Sequence, residues 1–278
     1  YDIANHLLCT SLIELYVVKP MERSPALPVV IYDPNGDLTD WQAKQPYQCT
    51  ALSDWSYAGG NCIFLFASED VANKAYLALV NSALEEVKAG HATAIFIEPP
   101  ALHESKYMLQ EYDACPASEE NLLLQSGIFP FPLVARPSFS FWESSMHVAK
   151  EHPLFKGLPS NCQMDEPYHE IAPAESFYEL DADETAAHTI TWFRPEDEQK
   201  AKKRTYLGGE DLWHGTDLAV KSHGSGKLRL STLILRSKAS ADPVAAHLLA
   251  NYVDDAIKLQ IKNLEVSPSN AEITALNS

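Results

Sequence analysis

The segment between residues 224 and 257 constrains the fold more than any other part of the chain. It opens with Gly224-Ser225-Gly226, which suits a tight turn because glycine adopts positive φ angles at little cost. The stretch that follows has the length and composition of a buried strand, with apolar side chains at Leu228, Leu230, Leu233 and Leu235.

A helix is predicted to follow this strand. Asp242 suits its N-cap, and Pro243 suits its first position because the missing N–H of proline has no partner there in any case. Apolar residues recur at helical spacing, at Val244, Leu248, Leu249, Tyr252, Val253 and Ile257. A buried strand followed by a capped amphipathic helix is typical of the closing unit of an α/β layer.

A strand–helix–strand pattern between Cys62 and Ile97 predicts the same class of fold. Cys62–Phe66 and Thr93–Ile97 are short apolar runs typical of central strands. Between them, Ser68 suits a helix N-cap and Gly90 suits the helix exit. The predicted buried face of that helix consists of Ala72, Tyr76, Leu79, Val80, Ala83 and Val87. Such a unit connects parallel strands by a right-handed crossover, so we predict a mostly parallel sheet flanked by helices.

The chain divides into unequal parts. Residues 1–20 contain a predicted connecting strand, residues 21–260 form the α/β domain, and residues 261–278 are polar enough to be a tail. From Tyr168 to Thr232 the pattern changes from helices to strands, predicted at Phe177–Leu180, His188–Phe193, Asp217–Val220 and Leu228–Leu230. We therefore expect an added β-rich portion within the domain.

The length and the net charge of the chain limit the classes of fold and of binding partner. With 278 residues and 46% hydrophobic content, the chain can bury a substantial core. Its formal net charge of -17 repels phosphate backbones, which argues against a nucleic-acid partner. No run approaches the ~20 apolar residues of a membrane span. Because the chain starts at Tyr1 without a Met or a signal-peptide pattern, we expect it to be a piece of a longer polypeptide.

Familiar nucleotide and nucleophile motifs are weak. Gly224–Lys227 lacks the early glycine, the Ser/Thr after the lysine and the following helix of a phosphate-binding loop. Cys62 begins its strand, whereas a nucleophile elbow lies between a strand and a helix, so its side chain is expected in the core. The five cysteines (Cys9, Cys49, Cys62, Cys115 and Cys162) are expected to be free thiols, with a structural disulfide as the alternative. No cofactor is predicted.

The clusters of acidic residues and histidines in the sequence do not predict a metal-binding or catalytic site. His169 lies near Glu166 and Glu170, but a surface role is favoured over metal ligation. The carboxylate pairs Asp165-Glu166 and Glu210-Asp211 resemble what glycosidases use, yet neither follows a recognisable barrel strand. We predict neither catalytic residues nor a metal site.

Tryptophans offer the best candidate for a binding surface. Trp213 lies in the glycine-flanked stretch Gly208–Gly215, between the polar residues Asp211 and His214. An aromatic face beside polar groups suits the C–H faces and hydroxyls of sugars. The candidate carbohydrate-binding residues are Trp142, Trp192, Asp211, Trp213 and His214. The alternative is that these aromatic rings pack beneath long loops.

Several stretches resemble one protein family. Glu151–Pro159 (EHPLFKGLP) is similar to a signature of class I glutamine-amidotransferase-like domains attached to glycoside hydrolases. The acidic and aromatic stretch Met164–Tyr168 follows it, as in those domains. Gly226–Leu233 together with Asp242–Asn251 resembles their closing strand and helix. The similarity extends from Pro20 to about Lys258 and is strongest in the C-terminal part.

The resemblance implies a flavodoxin-like, three-layer domain that accompanies family 2, β-galactosidase-like enzymes acting on plant or algal polysaccharides. Such domains generally lack an intact Cys-His-Glu glutaminase triad, and this sequence has no Gly-x-Cys-x-Gly elbow. The expected function is therefore a non-catalytic accessory or assembly domain of a glycoside hydrolase, with the rest of that polypeptide as partner, homo-oligomerisation and a possible glycan ligand. The alternatives are a carbohydrate-binding module and a stand-alone amidase or hydrolase on an amidotransferase-like scaffold.

Overall fold

A computed structural model describes residues 27–54, 61–68, 74–99, 101–103, 129, 131, 133–137, 143–178, 180–193 and 212–266 of the chain. The connecting strand predicted in residues 1–20 lies outside these ranges. Within them, no helix combines the length and the apolar character that a membrane crossing requires.

Strands outnumber helices in the described residues. The strands are β1 (Val29–Tyr32), β2 (Cys49–Ala51), β3 (Cys62–Phe66), β4 (Ala92–Ile97), β5 (Leu102–His103), β6 (Val134–Pro137), β7 (Glu143–Ala149), β8 (Cys162–Gln163), β9 (Glu175–Tyr178), β10 (Glu184–Phe193), β11 (Leu212–His223) and β12 (Gly226–Ser231). The helices are α1 (Thr39–Gln42), α2 (Lys74–Ala89) and α3 (Pro243–Val266). Single turns of 3-10 helix occupy Leu52–Asp54 and Pro153–Phe155. The fold is mixed α/β, as predicted.

One half of the sheet is parallel. Its strand order is β2-β1-β3-β4-β12, and each neighbouring pair in this series runs in the same direction. Cys62 pairs with Ala92 and Phe66 with Phe96 across β3 and β4. The parallel strand–helix–strand unit predicted from the sequence is therefore confirmed, with α2 as its crossover.

The other half is an antiparallel extension. It continues from β12 in the order β11-β10-β7-β8, with every neighbouring pair antiparallel. Strand β9 pairs with the beginning of β11 and with β6, which in turn pairs with β5. All twelve strands belong to one sheet, and the predicted β-rich portion is its antiparallel half.

Two hydrophobic clusters cover opposite faces of the sheet. Successive side chains of a strand point to opposite faces, and β3 accordingly sends Ile63 and Leu65 into one cluster and Phe64 and Phe66 into the other. Helix α3 packs in the first cluster, through residues that include Leu248, Leu249 and Val253. Helix α2 packs in the second, through residues that include Tyr76, Val80 and Val87.

The closing helix begins as the sequence predicts and ends later. The Asp242 carboxylate accepts a hydrogen bond from the Ala245 N–H at 2.7 Å, which is the expected N-cap. The six apolar residues predicted on its buried face are all at most 4% exposed. The helix continues to Val266, beyond the predicted end of the domain at residue 260. The apolar side chain of Ile261 extends the packed face, because it contacts the first cluster.

Three strand predictions need correction. The strand predicted through Leu235 ends at Ser231, and Leu233 and Leu235 are buried in the turns that follow. The loop predicted over Gly208–Gly215 is in part a strand, because β11 begins at Leu212. The sequence did not indicate β7, whose composition is mostly polar.

Candidate functional site

The predicted carbohydrate-binding residues fall on neighbouring strands where the structure describes them. Trp142 and Asp211 lie outside the described residues, as do the side chains of Trp192 and Trp213. The backbone register places Trp192 opposite Leu212 and Trp213 opposite Thr191. His214 is exposed and pairs with Ile190. Strands β10 and β11 therefore bring the backbone of three of the five candidates to one end of the antiparallel half.

A buried polar cluster lies on the same strands. It consists of His147 of β7, Ser176 of β9, Thr189 of β10 and Asp217 of β11, which we call the His147 cluster. Ser176, Thr189 and Asp217 are completely buried. The His147 side chain retains 10% of its exposure and is the member that solvent reaches. None of the four was selected from the sequence.

Asp217 is the acceptor at the centre of the cluster. The Ser176 hydroxyl donates to its Oδ1 at 2.6 Å. The Thr189 hydroxyl lies 2.8 Å from Oδ1 and 2.7 Å from Oδ2. His147 Nδ1 lies 3.0 Å from Oδ2 and 2.6 Å from the Thr189 hydroxyl oxygen. A buried carboxylate is costly unless it is hydrogen-bonded, and these donors offset that cost.

A β-bulge presents Asp217 to its partners. Across β10 and β11, Ala187 pairs with Leu218 and the next residue, His188, pairs with Thr216. Asp217 is the extra residue of the bulge and has no pairing partner on β10. Bulges turn a side chain away from the regular alternation of a strand and are common beside functional sites.

The hydrogen-bonding inventory indicates which tautomer a neutral His147 imidazole adopts. An ionised carboxylate only accepts hydrogen bonds, and the Thr189 hydroxyl has a single hydrogen, which it donates to Asp217. His147 Nδ1 must then carry a hydrogen to bond with either neighbour. In a neutral imidazole Nε2 is consequently the acceptor nitrogen, and it has no hydrogen-bond partner among the described residues.

This arrangement has part of what proton-transfer sites need. In hydrolases with a Ser-His-Asp triad, a buried aspartate holds the imidazole through Nδ1 while Nε2 faces the reacting group. Here the two hydroxyls bind the Asp217 side of the ring, so neither Ser176 nor Thr189 occupies the position of a nucleophile. The His147 cluster can orient an acceptor nitrogen; its own hydroxyls serve to hold the carboxylate.

The residues with nucleophilic side chains in and after β3 are buried. Burial, with a smaller contribution from the charge of Glu86, raises the pKa of the Cys62 thiol to about 12. Cys62 is 2% exposed, which confirms the prediction that its side chain enters the core. Ser68, at the corner itself, is 4% exposed. Cys49, Cys62 and Cys162 are free thiols, as predicted.

The His169 cluster is a surface ion-pair network. His169 Nδ1 lies 3.1 Å from Glu166 and Nε2 lies 3.0 Å from Glu170, with the His169 side chain 54% exposed. Glu170 also pairs with Lys238 at 2.6 Å, and this hydrogen bond lowers the pKa of the Glu170 carboxyl. Among the described residues no three His, Cys, Asp or Glu side chains are arranged to hold a metal ion.

A second buried charge lies beneath helix α3. Arg229 of β12 is completely buried, and its Nη2 donates to Asp255 at 2.6 Å. Its Nε and Nη1 have no partner within the described ranges. Burial raises the pKa of the Tyr252 hydroxyl beside it, while the Arg229 charge and a hydrogen bond with Ser231 oppose that rise.

A cleft lies at the carboxyl ends of β1 and β2. It has a volume of about 250 Å³ and is lined by residues that include Tyr32, Asp33, Gln42 and Ser53. Both Asp33 carboxylate oxygens already accept backbone N–H groups, from Asp37 at 3.1 Å and from Leu38 at 2.8 Å. Asp33 is the one charged side chain among the described lining residues, so these residues offer no convergent charged group to fix a ligand.

The His147 cluster was missed because its members are distant in the sequence. His147, Ser176, Thr189 and Asp217 come from four strands, and none of them lies in a motif. The available signal was a polar residue within a predicted strand, as for Asp217 in Asp217–Val220. Comparison with known protein families and with curated proteins found no match for this chain.

Proposed function

We propose that this chain is a non-catalytic accessory or assembly domain of a carbohydrate-active glycoside hydrolase of the β-galactosidase-like family 2 type. In this proposal the catalytic carboxylates belong to another part of the polypeptide. The chain supplies a folded α/β body that associates with that part and with further copies of itself.

The strand order supports the fold that the proposal needs. A doubly wound flavodoxin-like sheet has the order 2-1-3-4-5, and the parallel half has the order β2-β1-β3-β4-β12. With α2 in one hydrophobic cluster and α3 in the other, this order favours a three-layer, class I amidotransferase-like arrangement. The antiparallel half is then an addition to that arrangement.

The observation that carries the proposal is a contact between the two stretches in which the family resemblance lies. In Glu151–Pro159, the Leu154 and Lys156 carbonyls accept hydrogen bonds from the Asn251 amide of α3, at 2.8 and 2.9 Å. His247, one turn earlier in α3, lies 2.8 Å from the same Lys156 carbonyl. The resembling residues thus form one structural unit, which is what a shared scaffold requires.

The burial of Cys62 and Ser68, in and directly after β3, favours a role without glutaminase chemistry. A thiol with a pKa of about 12 is not a thiolate at neutral pH, so Cys62 is a poor nucleophile. Ser68 is too buried to reach a substrate. The amidase alternative on a cysteine nucleophile is therefore disfavoured for the described residues.

A test compares the isolated chain with the hydrolase that it belongs to. We expect the isolated chain to hydrolyse no aryl β-galactoside, to self-associate in sedimentation experiments, and to bind the catalytic part of that hydrolase when the two are mixed. The same hydrolase without this domain should lose its assembly state. Turnover by the isolated chain that disappears on mutation of a single glutamate would overturn the proposal.

A carbohydrate-binding module is the second candidate. The register places Trp192 and His214 on one face of β10 and β11, which favours it because an aromatic residue beside a polar one suits a sugar; Trp213 lies on the other face. Binding of oligosaccharide without association with a hydrolase would favour this alternative over the accessory role.

A further inference from the structure

We propose that His147 contacts a neutral polyhydroxy ligand, and that its imidazole Nε2 accepts a hydrogen bond from a ligand hydroxyl. The ligand class is an uncharged oligosaccharide. This inference rests on the proposed association with a carbohydrate-active enzyme and assigns a sugar-contacting residue that the tryptophan pattern did not indicate.

The acceptor nitrogen of His147 is pre-oriented. Asp217, Thr189 and Ser176 are completely buried and hydrogen-bonded to one another, so the Nδ1 side of the ring is held by groups that do not move easily. A ligand that bonds to Nε2 therefore loses little free energy to ordering the side chain.

The available nitrogen is polar. Nε2 lacks a hydrogen-bond partner in the described part of the chain, and the His147 side chain keeps 10% of its exposure, so the ring is not sealed from solvent. In the tautomer set by Asp217 this nitrogen only accepts, and its natural partner is an O–H or N–H donor. The net charge of -17 disfavours phosphorylated and carboxylated sugars, which leaves uncharged ones.

One predicted sugar-binding residue shares the face of the sheet that carries the cluster. Thr189 pairs with His147, and Thr191, two residues along β10, pairs with Trp213. Trp213 therefore belongs to the same face as His147, whereas Trp192 and His214 belong to the opposite face. A hydrogen-bond acceptor on the face of Trp213 suits a sugar, which has both hydroxyls and apolar C–H faces.

The experiment measures the tautomer and the binding separately. In the ¹⁵N NMR spectrum of the wild-type imidazoles, we expect His147 as the Nδ1–H tautomer. Titration with a neutral β-linked galacto-oligosaccharide should shift its Nε2 resonance in a saturable manner. We expect His147→Ala to raise the dissociation constant for the oligosaccharide at least tenfold.

Asp217→Asn provides a second variant with nearly the same shape, because it retains the side-chain volume and removes the charge that sets the tautomer. It should raise the Nε2–H population and weaken binding, which a merely structural role of Asp217 would not do in a folded protein. His169→Ala is the matched control, because that histidine is exposed and both its nitrogens face glutamates. The affinity of this variant for the oligosaccharide should equal that of the wild type.

Three results would overturn the inference: an Nε2–H tautomer in the wild type, no saturable binding of the oligosaccharide, or equal affinity of His147→Ala and the wild type. None of them affects the accessory role, which depends on association with the hydrolase. Conversely, His147-dependent binding by a chain that does not associate with any hydrolase would contradict the proposed function alone.

Discussion

The parallel and antiparallel halves of the sheet are stabilised in different ways. In β3 and β4 of the parallel half every residue is buried, and Thr93 is the one polar side chain among them. The antiparallel half buries a carboxylate, Asp217, together with the hydroxyls of Ser176 and Thr189. Strands β3 and β4 rely on apolar packing, whereas the antiparallel half also depends on the hydrogen bonds that satisfy this carboxylate.

This difference shows where the fold can accommodate chemistry. Apolar burial is non-directional and rewards any well-packed side chain. A buried polar network depends on the placement of each donor and acceptor, and its loss leaves a charged group unpaired. The chain places its buried carboxylate network where a bulge supplies an irregular position. The parallel half also buries polar groups, among them Arg229 and the Thr93 hydroxyl, which donates to Gln260 of α3 at 3.1 Å.

The largest expected loss of stability comes from a substitution in the parallel half. Phe66 is 1% exposed, and its ring is stacked on that of Phe96 with centroids 4.6 Å apart. Phe66→Ala removes the stacking and leaves a cavity in the hydrophobic cluster between the sheet and α2. We expect the free energy of unfolding, measured by denaturant titration, to fall by about 3–5 kcal/mol.

Phe131→Ala is the matched control for this prediction. Phe131 packs against the same hydrophobic cluster but is only partly buried. Its truncation should cost about 1 kcal/mol. Equal losses for the two variants would mean that the parallel half is not the apolar core on which the comparison depends.

A smaller effect is expected from the antiparallel half. Thr189→Val preserves the shape of a completely buried side chain and removes the hydroxyl that contacts Asp217, Ser176 and His147. Because the carboxylate then loses a donor that water cannot replace, the free energy of unfolding should fall by about 1–3 kcal/mol. Thr189→Ser, which retains a hydroxyl, should recover part of the loss.

The control is the same substitution on the same strand. Thr185 is only partly buried, and Thr185→Val should change the free energy of unfolding by less than about 0.5 kcal/mol. If Thr189→Val were as stable as the wild type, the His147 cluster would contribute nothing, and the two halves would not differ in the way described.

The two halves also differed in how far the sequence predicted them. Cys62–Phe66 and the capped helix from Pro243 were predicted correctly, because buried parallel strands and amphipathic helices have local patterns. The strand predicted through Leu235 was too long, since apolar residues in buried turns have the same composition as a strand.

The antiparallel half was harder for a physical reason. Strand β7 was missed because Glu143–Ala149 contains Ser144, Ser145 and His147, which lack the apolar and β-branched character of a strand. One of those polar residues belongs to the His147 cluster. The contacts that explain them join positions as far apart as 147 and 217, and no local pattern carries that information.

The smallest expected effect concerns pH and His188, on the strand face opposite Thr189. Burial lowers the pKa of His188 below its ordinary value of 6.5, with the charge of Lys150 acting in the same direction and that of Asp217 opposing it. Its Nδ1 is buried without a partner among the described residues. The neutral imidazole is therefore the form that the folded state prefers.

The consequence is a loss of stability in mild acid. As the pH falls below 6.5 the unfolded chain binds a proton at His188 while the folded protein does not, so the free energy of unfolding decreases until the pH passes below the lower, folded pKa. A single proton limits the slope to about 1.4 kcal/mol per pH unit. His188→Gln should flatten the stability profile between neutral and mildly acidic pH in denaturant titrations, whereas His169→Gln, at a solvent-exposed ion pair, should leave this interval closer to the wild type. A slope unchanged in His188→Gln would show that the acid sensitivity of the antiparallel half originates elsewhere.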